Sequence, residues 1–345
     1  MIDWADKTVL ITGGTGSFGR EFTSLLLAEY RPKKIVIFSR DEMKQFAMKA
    51  EGFDSECIRY FIGDVRDKER LYRAFHGVDM VVHASAMKQV PTCEYNPFEA
   101  IKTNVMGAAN VIDAAIDCGV EKVIALSTDK AANPINLYGA SKLCADKLFV
   151  AGNAYSGARK TRMSVVRYGN VVGSRGSVIP FFWQQRKRGV LTITDRRMTR
   201  FWITLDQGAR FVVRCLKTMH GGEIFVPKIP SMRICELARV VAPECRIEIT
   251  GARPGEKLHE VMIPRDDARH TVELEDFFVV QPDLQWWDTK NWRAGRECAE
   301  GFEYASNTNS EWLSCDAMRD MISRLGLDVC AGHQADSFQV MAAAR

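Results

Sequence analysis

Four reactive side chains fall within one short stretch, Ser127-Thr128-Asp129-Lys130 followed by Tyr138-Gly139-Ala140-Ser141-Lys142. Asp129 and Lys130 set an acid and a base side by side. Tyr138 and Lys142 are spaced so that a helix carries both on one face. A free tyrosine ionises at about pH 10, too high to take a proton readily at neutral pH. An ammonium beside it favours the phenolate. Such a pair removes a proton from an alcohol while hydride leaves its carbon. Lys142 can also hold a nicotinamide ribose, and Thr128 adds a hydroxyl to bond the reacting oxygen. The bland alternative is a core tyrosine with a surface lysine, and the elements upstream weigh against it.

Those elements begin with Lys7-Thr8-Val9-Leu10-Ile11-Thr12, a short apolar run with β-branched residues that predicts a buried strand. It meets Gly13-Gly14-Thr15-Gly16-Ser17-Phe18-Gly19, then a helix rich in Phe22, Leu25, Leu26 and Leu27. Strand, glycine loop and helix in that order are the context of a dinucleotide fingerprint. The glycines let the backbone approach a pyrophosphate, and the helix N-terminus supplies amide donors and a positive dipole. Gly13, Thr15, Gly16, Ser17, Phe18 and Gly19 are therefore candidate cofactor residues rather than a mere tight turn. The next strand, Lys34-Ile35-Val36-Ile37-Phe38, ends at Ser39-Arg40-Asp41, where the ribose is read. A carboxylate there favours NAD. Ser39 and Arg40, with Lys44 just beyond, suit a 2′-phosphate, and on charge NADP is favoured. The same residues also read as an ordinary helix-capping run.

A third strand, Arg59 to Val65, brings Asp64 and Val65 to the same sheet edge. Asp64 either accepts from an adenine amino group or caps the helix that starts near Lys68. Met80-Val81-Val82-His83 follows, with Ala84-Ser85-Ala86 small enough for a cofactor to pass close. His83 reads as structural, since no carboxylate or nucleophile is spaced to partner it. Lys88 opens a loop and is a candidate for the substrate's sugar or diphosphate. Pro97 to Cys118 is expected as one long helix, with Asn104 inside it as a further cofactor candidate. Lys122-Val123-Ile124-Ala125-Leu126 is the fifth strand. The alternation predicts an α/β protein with a doubly wound parallel Rossmann sheet. Ligands in such sheets bind beyond the carboxyl ends of the strands, where Ser127 to Lys130 falls.

Arg162 to Tyr168 predicts a sixth strand, leading into the glycine-containing loop Gly169 to Ser177. Asn170 and Arg175 there, and Thr194, Arg253 and Glu256 beyond, are candidates for a substrate phosphate, amide or ribose. From Val178 the elements shorten and prolines punctuate them, which marks a smaller mixed α/β substrate-binding domain. The expected division is 1–175 for dinucleotide binding and 176–325 for a nucleotide sugar, with the chain able to cross back to the first. A weakly ordered tail is expected over 326–345.

The totals set bounds. The 345 residues are 46% hydrophobic and 26% charged, an ordinary globular composition. The net charge of +4 is too small and too scattered to argue for nucleic acid. Ten cysteines are spread without a CxxC pair, so no metal site is expected. No signal peptide and no long apolar span is evident, so a reduced, cytoplasmic protein away from the membrane is expected.

Three motifs are more specific: Ser127 to Lys142, Arg167 to Ser177, and Arg253 to Glu260. With the fingerprint they place the chain in resemblance to the extended short-chain dehydrogenases/reductases. Within them it resembles the inverting UDP-N-acetylglucosamine 4,6-dehydratases of pseudaminic acid biosynthesis, over about Lys7 to Leu325. The resemblance implies a lyase cycle. Tyr138 with Lys142 oxidises the sugar at C4, and hydride passes to NADP. Lys130 is the candidate base at C5 and Asp129 the candidate acid for the departing C6 hydroxyl, after which hydride returns to C6. Relatives that retain the C5 configuration carry Asp-Glu where this chain has Asp129-Lys130. The resemblance also implies a homo-oligomer, with a hexamer suggested. Two other readings stand beside it: a nucleotide-sugar 4-epimerase, for which Asp129-Lys130 would be idle, and a non-catalytic NADP-binding scaffold, which would not need both Tyr138 and Lys142.

Overall fold

In the computed structural model, residues 2–174, 176–285 and 287–324 are described. The first apolar run forms β1 (Thr8–Thr12), buried at every position. The chain then alternates: α1 (Ser17–Leu25), β2 (Lys34–Ser39), α2 (Glu42–Ala50), β3 (Ile58–Ile62), α3 (Lys68–Phe75) and β4 (Met80–His83). Next come α4 (Val90–Tyr95), α5 (Pro97–Ile101), α6 (Gly107–Asp117), β5 (Lys122–Thr128), α7 (Leu137–Tyr155) and β6 (Arg162–Tyr168). β1 pairs in parallel with β2 and β4, and β5 with β4 and β6. Side chains such as Val9, Leu10, Ile11, Val81, Val82 and Ile124 are inaccessible or nearly so, because helices cover both faces of a parallel sheet.

The later chain carries β7 (Asn170–Val171), α8 (Val178–Arg186), β8 (Val190–Ile193), β9 (Thr199–Ile203), α9 (Leu205–Thr218), β10 (Ile224–Pro227), β11 (Ser231–Arg233), α10 (Ile234–Val241) and β12 (Arg246–Ile249). It ends with β13 (Val261–Ile263), β14 (Thr271–Glu273), β15 (Phe277–Val280), β16 (Arg296–Glu297) and α11 (Cys315–Ser323). The large sheet runs β16-β14-β15-β10-β6-β5-β4-β1-β2-β3. Its β3 to β6 half has the strand order of a doubly wound Rossmann sheet. β10 extends it in parallel, and β15, β14 and β16 add antiparallel strands.

By packing, the chain forms two units. One holds the residues up to Tyr168, Asp206–Lys228 and Val261–Tyr304. The other holds Gly169–Leu205, Ile229–Glu260 and the described residues from Ala305. The second unit has its own core, in which Ile179, Phe182, Leu191, Trp202, Leu237, Val241, Met318 and Ile322 pack together. The sheet of β11, β9 and β7 and the β12–β8 pair belong to it. The tail expected over 326–345 lies outside the described residues.

The helix expected from Pro97 to Cys118 forms as one unbroken helical run to Asp117, with a local change of pitch inside it. A wider π turn over Lys102–Met106 joins α5 to α6. Such insertions are frequent at functional positions, and here the turn carries Asn104.

α7 is seated by one glycine. Asn136 caps it by accepting from the Gly139 amide at 2.7 Å. A Cβ on Gly139 would lie 2.2 Å from the carbonyl oxygen of Lys130. Gly139→Ala should therefore push α7 off the turn after β5 and cost about 1–3 kcal/mol. Equilibrium urea unfolding measures this, and unchanged stability would show that the contact yields freely.

Candidate active site

The turn after β5 is short and crowded. Thr128 ends the strand, and Asp129–Ala131 form a single 3-10 turn. Asp129 is fully buried. Its Oδ1 accepts from Thr128 Oγ1 at 2.9 Å and from Lys130 Nζ at 3.0 Å. Its Oδ2 is buried without a hydrogen-bond partner among the described residues. A bare carboxylate oxygen away from water is costly, so a ligand hydroxyl at that position would relieve it. The Lys130 side chain is about a quarter exposed, while its ammonium bonds the buried Asp129.

Tyr138 opens α7 and is buried. Burial pushes its phenol up to about 12, opposed by the Lys130 charge and by a hydrogen bond with Thr128. The expected Tyr138–Lys142 relation is thus modified: the cation that acts on this phenol is Lys130. Lys142 is buried one turn further on and donates to the Leu126 carbonyl at 2.7 Å. Burial also lowers the pKa of Lys142, opposed by the negative charge of Asp146. Thr128, Asp129, Lys130, Tyr138 and Lys142 therefore share one corner of the sheet edge.

Beneath them is a buried ion pair absent from the sequence reading. Asp146 Oδ2 accepts from Ser127 Oγ at 2.8 Å and from Arg167 Nη2 at 3.3 Å. Arg167 also donates to the Met262 carbonyl at 2.8 Å. The available signal was Asp146 lying four residues beyond Lys142, with an arginine inside an otherwise apolar strand.

At the neighbouring strand ends the residues fit a dinucleotide. Gly13 has φ +66°, and a Cβ there would meet the backbone of Ala84 and Ser85 at 3.0–3.1 Å. A Cβ on Gly19 would meet Gly14 backbone atoms at 2.4–2.6 Å, which lets α1 pack against the loop. α1 begins at Ser17 after Gly16 with no side-chain cap, so its first amides are left for another acceptor. Phe18 stacks on Phe22, 5.5 Å between centroids.

Thr15 and Ser39 hydroxyls are 2.9 Å apart and buried. Asp41 caps α2 by accepting from the Lys44 amide at 3.0 Å and pairs with Lys44 Nζ at 2.8 Å. Its carboxylate is therefore engaged, whereas the Arg40 guanidinium is largely exposed, 3.5 Å from Asp64. Asp64 does not cap α3; Asp67 does, accepting from the Arg70 amide at 2.9 Å. Asp64 instead receives the Arg66 guanidinium at 2.8 Å. Val65 is buried, and its carbonyl accepts from Asn110 at 3.0 Å.

Asn104 holds the loop after β4. It donates to the Met87 carbonyl at 3.0 Å and to Ser141 Oγ at 2.9 Å, and accepts from the Met87 amide at 2.8 Å. Its side chain thereby ties the Ala84-to-Lys88 segment to α7. Lys88 itself is exposed.

In the other unit, Thr194 Oγ1 donates to Glu256 at 3.0 Å. Asn170 lies in β7 opposite Trp202 of β9. Arg253 is exposed, with its guanidinium 6.0 Å from the Phe181 ring centroid. Arg175 lies outside the described residues. Sequence reading missed Arg200, which is buried and donates to the carbonyls of Thr199 (2.7 Å), Lys257 (2.9 Å) and Leu258 (3.1 Å). It holds the 253–260 loop against β9. Among the described residues no cluster has the makings of a metal site.

His83 is buried at the end of β4. Its Nδ1 lies 2.8 Å from Thr12 Oγ1, and Thr12 in turn accepts from the Ala84 and Ser85 amides at 3.1 and 3.3 Å. Burial lowers the ring's pKa to about 3, against 6.5 when free. Between those values the unfolded chain binds the extra proton, so stability falls as pH drops below 6.5. The loss should be about 1 kcal/mol per pH unit. Urea unfolding from pH 7 to pH 4 should show a steeper decline for the native chain than for His83→Gln; parallel declines would remove His83 from the effect.

The chain matches the family model described as polysaccharide biosynthesis protein over residues 9–282. It is 55% identical over 326 residues to the inverting UDP-N-acetylglucosamine 4,6-dehydratase of Campylobacter jejuni subsp. jejuni serotype O:23/36, covering 92% of this chain and 97% of that protein. A UDP-glucose 4-epimerase of Rickettsia conorii is 44% identical, over 81% of this chain and 84% of its own length. The X-ray structure of Pen from Bacillus thuringiensis superposes with a TM-score of 0.87 at 37% identity, covering 95% of this chain and all of that one. The fold, the reactive corner and these likenesses agree: the chain belongs to the inverting UDP-N-acetylglucosamine 4,6-dehydratase family of polysaccharide biosynthesis proteins.

Proposed function

We propose that this protein is a C5-inverting UDP-N-acetylglucosamine 4,6-dehydratase, a hydro-lyase that forms a 4-keto-6-deoxy sugar, UDP-2-acetamido-2,6-dideoxy-β-L-arabino-hex-4-ulose. The observation that carries the reading is the Asp129–Lys130 turn, with its unpartnered buried carboxylate oxygen, held beside Tyr138. Hydride exchange alone needs only the tyrosine and its cation. Elimination needs an acid and a base as well, which is why a 4-epimerase is the weaker reading.

NADP, when bound, supplies the acceptor and donor of hydride. Tyr138 takes the proton of the C4 hydroxyl, with Thr128 bonded to the phenol and Lys130 favouring the phenolate. Once C4 is a ketone the C5 proton is acidic; Lys130 passes its own proton to the Asp129 carboxylate across their 3.0 Å contact and, as the free amine, removes the C5 proton. Asp129 delivers that proton to the departing C6 hydroxyl, which leaves as water; a hydride returned to C6 and a proton returned to C5 from the other face complete the product. Lys142, fixed on Leu126, orients the nicotinamide ribose. Gly13, Thr15, Gly16, Ser17, Phe18 and Gly19 hold the pyrophosphate side, and Asp64, Val65, Ala84 and Asn104 line its path. Lys88, Asn170, Arg175, Thr194, Arg253 and Glu256 take the nucleotide sugar.

NADP is preferred over NAD because Asp41 is committed to α2 and Lys44, which leaves Arg40 to meet a 2′-phosphate. A cytoplasmic homo-oligomer, a hexamer by family likeness, serving pseudaminic acid synthesis and flagellin glycosylation completes the reading. No described helix is long and apolar enough to cross a membrane.

Incubation with UDP-N-acetylglucosamine and no added cofactor, followed by proton NMR, should show a new C6 methyl group. A product that keeps its C6 hydroxyl points to epimerisation instead. Lys130→Ala should retain bound dinucleotide yet form no methyl, and normal turnover in that variant removes Lys130 from its role. Arg40→Ala should weaken NADP about tenfold, or about 1.4 kcal/mol, with NAD unaffected; equal losses for both by calorimetry would refute the 2′-phosphate assignment.

A further inference from the structure

The buried Asp146–Arg167 pair takes no part in the steps above, yet it touches the elements that carry them. Asp146 sits on α7 four residues after Lys142 and is almost fully buried. Its carboxylate reaches across to β5 through Ser127 Oγ at 2.8 Å. Ser127 lies between Leu126, whose carbonyl accepts from Lys142 Nζ, and Thr128, which bonds Asp129 and Tyr138. Arg167 on β6 meets the same carboxylate oxygen at 3.3 Å and continues to the Met262 carbonyl. Its Nε has no partner among the described residues, which leave the guanidinium only partly satisfied. A buried pair with an unmet donor is weak as a stabilising device, and replacement by apolar residues is often neutral or better. Retaining it calls for a gain other than stability.

We propose that Asp146 is a positioning residue of the reaction centre: its carboxylate fixes β5 at Ser127 and supplies the negative charge one helical turn from Lys142. The proposal rests on the functional reading given above. Lys142 is otherwise placed badly for a cation, because it is buried and its ammonium bonds a neutral carbonyl. Among the groups packed around α7 are His83 on β4, Asp129 and Lys130 in the turn after β5, Arg167 and Tyr168 on β6, and Cys93 on α4. His83 stays neutral, with its pKa lowered to about 3. Asp146 is the group whose charge opposes the effect of burial on Lys142. Without it, Lys142 would lose its proton at a lower pH.

Asp146→Asn keeps the shape and the bond to Ser127 and removes the charge. In protein labelled at lysine ¹³Cε, with the Lys142 signal assigned by its loss in Lys142→Arg, the titration of Lys142 should move down by about one pH unit. The alkaline limb of the kcat/KM profile should move with it. A purely structural role would lower the melting temperature and leave the titration in place. Should Asp146→Asn not fold, Asp146→Asn/Arg167→Met is compared with Arg167→Met, so that the difference in the Lys142 titration reads the loss of the Asp146 charge alone. An unmoved Lys142 titration in a folded variant overturns the proposal. The titration needs no turnover, so a failure to dehydrate the sugar would count against the functional reading alone.

Discussion

The reactive corner depends on how closely α7 approaches the turn after β5. Gly139 has no side chain, so the helix backbone can lie against the Lys130 carbonyl. That contact brings Tyr138, at the start of α7, within hydrogen-bonding reach of Thr128 and under the charge of Lys130. A bulkier residue would separate the phenol from both. The helix cap at Asn136 and the Lys142 bond to Leu126 act in the same direction, pinning α7 at its first two turns.

Around that contact the protein buries several polar groups, and nearly all are tied to backbone or to one another. Asn104 closes the loop after β4 onto α7, His83 and Thr12 organise the adjacent strand ends, and Asp146 with Arg167 braces β5, β6 and α7 from below. Low local polarity raises the stakes for each of them, since an unmet buried partner costs more than a bond gains. Against this background Asp129 Oδ2 stands out as a bare acceptor at the reactive corner. The same low polarity lifts the Tyr138 phenol to about 12. Burial thus disfavours the charged forms of Tyr138 and Lys142, opposed by Lys130 at the phenol and by Asp146 at the ammonium.

Local pattern made much of this legible. The strands of β1 to β6 stand out as apolar β-branched runs, and the glycine loop between β1 and α1 has few other uses in that context. The Tyr138–Lys142 spacing needs only a helix to place both side chains on one face. Asp129 and Lys130 follow a strand end, so a parallel sheet sends them to its ligand-binding edge.

Other features depend on contacts between distant residues and were not legible. β10, β14, β15 and β16 join the Rossmann sheet from far along the chain, and no local period encodes which strand a segment pairs with. The π turn carries Asn104, whose side chain bonds Met87, seventeen residues away. Arg200 is buried because its guanidinium bonds the Lys257 and Leu258 carbonyls, nearly sixty residues away, and no local pattern marks that. The residue types and spacings of the chain thus determine which chemistry is available and at which sheet edge. Only the tertiary structure decides which cation acts on Tyr138, which carboxylate is left bare and which is paired beneath, because charge in a low-dielectric interior is set by neighbours that the chain brings together only by folding.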